Sequence, residues 1–130
     1  MAMPKSNTKK LKDKLWKLVS EYVRRRHATS EGYVECYTCG KVDHWKNYDA
    51  GHGIPGRKNM VLFDLEVLRA QCKGCNRNQG EQFIFGTKLD EENGPGWFEM
   101  KLINSRKPRK IYDYELEEMI ESIESMLEEL

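Results

Sequence analysis

Apolar residues recur at spacings of three and four from about Lys9 to His27, where Leu11, Leu15, Trp16, Leu18, Val19, Tyr22 and Val23 form one stripe. That is the pattern of an amphipathic helix, with Lys10, Lys14, Lys17, Arg24 and Arg25 on its other face. A second such seam runs from Asp113 to Leu130 through Leu116, Met119, Ile120, Ile123, Met126, Leu127 and Leu130, with Asp113 placed to cap its start. Between them the period shortens. Tyr33 to Cys36, Tyr48 to His52 and Met60 to Phe63 read as extended stretches, and Gly53 to Gly56 supplies turn chemistry for a loop. The chain is compatible with helix from Asn76 towards Lys88, although Gly80 and Gly86 weaken it, and again from Trp97 to Asn104 after the Asn93 to Gly96 break. Met1 to Thr8, polar and containing Pro4, reads as a loose tail, and Arg106 to Lys110 as a basic connector.

Composition narrows the class. The 130 residues are 38% hydrophobic and 33% charged, enough for one small folded domain but thin for an unaided core. No apolar run approaches the roughly 18 residues of a membrane span, and the opening Met-Ala-Met-Pro-Lys-Ser lacks the hydrophobic segment of a secretory signal. A cytoplasmic protein is expected, in which four cysteines stay reduced and need a partner other than one another. The net charge of +1 conceals an asymmetry. Met1 to Arg26 carries nine bases and two acids, whereas Asp113 to Leu130 carries eight acids and no base. A basic arm attracts a phosphate backbone because neutralised phosphates release counterions, a solvated helix face being the plain alternative. The acidic helix suits a protein surface better than DNA, and its seam either packs on this domain or pairs two copies as a homodimer.

Cys36-Tyr-Thr-Cys39 and Cys72-Lys-Gly-Cys75 are two C-x2-C units separated by 32 residues. Two intervening residues let both thiolates reach one ion, and two such knuckles complete a tetrahedral site for a closed, structural zinc. Zinc binding would then become folding free energy, which a short chain needs. A redox dithiol, two disulfides and inert buried thiols are the competing uses; a matched second pair argues against the first.

The segment between the knuckles contains Asp49-Ala-Gly-His-Gly-Ile-Pro55, and Asn76-Arg-Asn-Gln-Gly80 follows the second. A histidine ahead of a C-x2-C knuckle, with an amide just behind it, is the order of elements in HNH, or ββα-metal, nucleases. Trp16 to Arg26, Cys36 to Gly40, Ala50-Gly-His-Gly-Ile-Pro-Gly-Arg57 and Gln71-Cys-Lys-Gly-Cys-Asn-Arg77 together resemble the NinG/Rap recombination endonucleases of lambda-type phages, over roughly Leu11 to Leu102. The resemblance implies a metal-dependent, structure-selective DNA endonuclease acting on branched recombination intermediates in the cytoplasm of a bacterial host. It also implies an α+β fold, with a zinc-stapled ββα-metal core, an N-terminal basic helix and C-terminal helices. The expected units are a tail over 1–8, the nuclease domain over 9–110 and the acidic helix over 111–130.

Phosphodiester hydrolysis needs a deprotonated water and positive charge on the phosphate. In the HNH design, a neutral imidazole takes the proton and one divalent ion supplies the charge. His52 is assigned the base, a structural histidine being the alternative. Asn76 matches the metal-binding third letter of the pattern. The acid that often precedes the catalytic histidine is here Gly51; Asp49, on the same face by strand alternation, is the candidate to replace it. The asparagine usual before the second knuckle is here Val67, with Asn59 as a possible substitute. Oxygen and amide ligands suit Mg²⁺ or Mn²⁺. Arg24, Arg25, Arg26, Arg57, Lys58, Lys73 and Arg77 are the candidate phosphate contacts, and His44 and Asn78 weaker metal candidates. The rival reading is a non-catalytic, zinc-ribbon-like nucleic-acid-binding or adaptor protein.

Overall fold

The computed structural model describes residues 6–56 and 58–130. Helix α1 spans Asn7–Arg25, its start capped by the Ser6 hydroxyl, which accepts from the Lys9 N–H at 3.2 Å. Two antiparallel hairpins follow. β1 (Tyr33–Glu35) pairs with β2 (Val42–His44), and β3 (Tyr48–His52) pairs with β4 (Leu68–Cys72), with Tyr48 opposite Cys72 and His52 opposite Leu68. Then come α2 (Lys73–Arg77), α3 (Gln82–Asn93), α4 (Trp97–Asn104) and α5 (Asp113–Glu128). The result is a small mixed α/β domain. Among the described residues no helix is long and apolar enough to cross a membrane.

The two seams meet each other. Leu15, Val19 and Val23 of α1 are buried with Leu116, Ile120 and Ile123 of α5, over Ala50 and Leu68 of the β3–β4 hairpin. Each such side chain contributes about 1.5–3 kcal/mol by leaving water, so the acidic helix is held by the same core as the basic one. A second cluster, Ile54, Val61, Val67, Phe85 and Leu89, sits beneath α3; a third, Val34, Cys36, Tyr48 and Ala70, joins the two hairpins.

Several expectations are corrected. Met60 to Phe63 is a run of turns, whose Val61, Leu62 and Phe63 are buried; the partner of β3 is Leu68–Cys72, a segment whose Arg69 and Gln71 hide it from a hydrophobic scan. The helix foreseen from Asn76 breaks at Gly80, where φ is +71°. α2 opens at Lys73, inside the second knuckle, so Asn76 lies within it rather than at its start. Asp113 is the first residue of α5, not its cap: the Tyr112 N–H donates to Glu115 at 2.8 Å, and the Asp113 carboxylate accepts from Asn7 and Thr8 instead. Asn7 and Thr8 are therefore helical, and the rest of the expected tail, Met1–Lys5, lies outside the described residues.

Candidate metal centre and cleft

Gly40, at φ +79°, lets the chain turn back after the first cysteine pair, its N–H donating to the Cys36 carbonyl at 2.9 Å. The second pair turns into the first residues of α2. The four Sγ atoms of Cys36, Cys39, Cys72 and Cys75 consequently lie within 4.8 Å of one another. Sulfurs about 2.3 Å from a central zinc form a tetrahedron with edges of about 3.8 Å, and Cys39 and Cys72 are 3.8 Å apart. The Cys75 N–H points at Cys72 Sγ (3.4 Å), and the Thr38 hydroxyl meets Cys36 Sγ (3.5 Å). Burial opposes ionisation of Cys36, but hydrogen bonds from the backbone of Cys72, Cys39 and Thr38 and from the Thr38 hydroxyl outweigh it and bring the thiol down to about 6. At Cys75, burial and the neighbouring sulfurs push the thiol up to about 12. Clustered thiolates repel unless a cation lies among them. The cysteines are free of disulfides, and the set can hold a metal ion such as zinc, every tetrahedral position being sulfur.

Beside β3 opens a polar cleft of about 610 Å³. Trp16, Ser20 and Arg24 enter it from α1, Lys46 from the turn before β3, Tyr48, Asp49, Ala50 and His52 from β3, and Lys73 and Asn76 from α2. Alternation sends Asp49 and His52 to opposite faces of β3. Both border the cleft, so it reaches round the strand edge that β4 does not cover. The His52 ring stacks on Trp16, centroids 5.0 Å apart and planes 16° from parallel, and its Nε2 lies 3.1 Å from the Leu62 carbonyl oxygen. A carbonyl only accepts, so Nε2 is the protonated nitrogen, and in the neutral ring Nδ1 carries the lone pair. Asn76 Nδ2 donates to Asp49 Oδ2 at 3.0 Å.

Gly51 explains itself in this packing. A Cβ there would stand 1.9 Å from Gln71 Oε1. The Gln71 side chain is fully buried and donates to Thr38 Oγ1 (3.1 Å) and the Gly80 carbonyl (2.9 Å), linking the first knuckle, β4 and the turn after α2. Where an HNH pattern carries an acid, this chain carries the floor for Gln71.

The arginine run divides into three contacts. Arg24 faces the cleft, over the Trp45 ring at 5.1 Å; burial draws its pKa down, against the pull of Glu21 and Asp49. Arg25 pairs with Glu21 at 3.1 Å. Arg26 turns inward, donating to the Leu68 (2.6 Å) and Leu65 (3.2 Å) carbonyls, so it clamps β4 rather than presenting charge to a phosphate. Lys73 lines the cleft; Lys58 and Arg77 are exposed outside its lining, and Arg57 lies outside the described residues. Asn59 receives Lys12 at 3.0 Å and donates to the Arg109 carbonyl, tying its loop to α1 and the connector rather than to the hairpin. His44 accepts from the Lys46 N–H, and Asn78 donates to Glu81; both are local braces.

The residues not foreseen are Trp16, Ser20, Lys46 and Gln71. The first two had a signal. Trp16, Ser20 and Arg24 form a row spaced by four, directly beside the buried row Leu15, Val19 and Val23. Among known proteins, the model of the family described as Bacteriophage Lambda NinG protein matches residues 3–130. No curated protein and no solved structure matches the chain significantly.

Proposed function

The chain belongs to the NinG family, and from that premise we propose that it is a metal-dependent, structure-selective DNA endonuclease whose site is the cleft beside β3. One observation carries the reading: His52, the Asp49–Asn76 pair and the cations Arg24, Lys46 and Lys73 border a single polar cleft. The β3–β4 hairpin running directly into α2 supports an HNH-like, ββα-metal core.

In hydrolysis a water oxygen bonds to phosphorus, the bond to the leaving oxygen breaks, and a water proton passes to a base. His52 takes that proton at Nδ1, while the Leu62 carbonyl and the Trp16 ring fix its tautomer and plane. The Asp49 carboxylate and the Asn76 amide oxygen fit a hard divalent ion better than a second zinc. Mg²⁺ or Mn²⁺ bound there supplies positive charge to the phosphate and the leaving oxygen. Arg24, Lys46 and Lys73 position the backbone and read no sequence.

Incubating the zinc-loaded protein with supercoiled plasmid and synthetic four-way junctions tests this. Cleavage that requires added Mg²⁺ or Mn²⁺ is expected, falling by at least about 100-fold in His52→Ala with fold and DNA binding retained. Gly51, occupied from below by Gln71, favours the rival. A protein that binds these DNAs and cuts none with either ion is a non-catalytic nucleic-acid-binding protein.

A further inference from the structure

Phe83, in the first turn of α3, is 87% exposed, whereas Phe63 and Phe85 are 6% and 0%. The backbone that delivers it is unusual. Gln79, Gly80 and Glu81 follow one another at φ +55°, +71° and +50°, the left-handed region in which residues other than glycine are strained. The turn is held from beneath by Gln71, which donates to the Gly80 carbonyl, and from its flank by Asn78, which donates to Glu81. It rests on the cleft strand: Gln82 Nε2 reaches the His52 carbonyl at 3.5 Å. α2, bearing Lys73 and Asn76 and ending on the exposed Arg77, runs into the same turn.

Resting on the endonuclease reading, we propose that Phe83 stacks on an unpaired base at the branch point of the DNA held in the cleft. Cations along the backbone and an open aromatic ring for a base are the combination by which single strands are held. Beside it on α3, Gln82 is polar and the Thr87 hydroxyl donates to the Phe83 carbonyl at 2.8 Å. Paired duplex offers no free base face, so this contact exists only where strands part. It supplies the selectivity for structure that Arg24, Lys46 and Lys73, which sense charge, do not.

The test compares full-length, zinc-loaded Phe83→Ala, Phe83→Leu and Phe83→Trp with the parent, without added Mg²⁺ or Mn²⁺. Affinity is measured for a forked DNA with unpaired bases at its branch and for a linear duplex of equal length. Phe83→Ala is expected to weaken fork binding roughly 5- to 30-fold and duplex binding by less than about twofold, with an unchanged unfolding midpoint. Phe83→Trp is expected to restore fork binding and Phe83→Leu not. Unchanged fork affinity in Phe83→Ala, equal losses on both DNAs, or rescue by leucine as complete as by tryptophan overturns the assignment alone. A parent protein that binds neither DNA overturns the endonuclease reading together with it.

Discussion

The cysteine cluster and the cleft meet at adjacent residues, Cys75 and Asn76, yet they are built in opposite ways. The cluster draws two ligands from each of two tight turns, so spacing in the chain nearly fixes its geometry. The cleft gathers single side chains from α1, the turn before β3, β3 itself and α2, so nothing short of the whole fold assembles it. A metal cage is thus a local object that supports its surroundings, and a cleft for large, charged substrates is a by-product of surroundings already in place. Substitution in the first is expected to be felt as lost structure, and in the second as lost chemistry.

The largest expected effect tests that division. Cys72→Ser, or metal removal, is expected to unfold the chain, since a structural zinc site contributes on the order of 10 kcal/mol, as much as a small domain's whole stability. Circular dichroism with metal analysis reads it, and a soluble, folded, metal-free variant would break the comparison. Next is Gly51→Asp, which installs the acid the HNH pattern lacks. With Gln71 Oε1 only 1.9 Å from the new Cβ, it is expected to cost about 3–5 kcal/mol in urea unfolding rather than to improve cleavage. Adding Gln71→Ala should recover part of that loss, and a fully stable Gly51→Asp would show that the strand floor is softer than described. Smallest is Thr38→Val, which cuts the hydroxyl shared between Cys36 and Gln71. About 1–2 kcal/mol of stability should go in urea unfolding of the zinc-loaded protein. An unaltered unfolding midpoint would separate the two regions more sharply than the hydrogen bonds imply.

What the sequence made legible follows the same line. β3 is legible because Tyr48 to His52 is short and bounded by the Gly53 to Gly56 turn chemistry, and the cysteine pairs because their chemistry is set by offsets of three. β4 is not, because Arg69 and the fully buried Gln71 interrupt its apolar residues and its last residue belongs to the knuckle; the apolar Met60 to Phe63 run reads as the strand instead. Strand alternation and the motif order put Asp49 and Asn76 forward separately, and the direct hydrogen bond of 3.0 Å between them is visible only in the fold. Charge runs say nothing of inward-facing carbonyls, and only the Leu65 and Leu68 oxygens reveal where the Arg26 guanidinium goes. Gln71 stands in a motif of the family resemblance, but nothing in the sequence points to its role, because that lies in three segments distant along the chain converging on one amide.

Diffusing manganese into crystals of the zinc-loaded protein, and locating it by anomalous scattering, shows whether the cleft holds a hydrolytic ion. A manganese peak held by the Asp49 carboxylate and the Asn76 amide oxygen is expected, with the His52 ring facing the same space. Manganese absent from the cleft, with Asp49 and Asn76 still bonded only to each other, would contradict it.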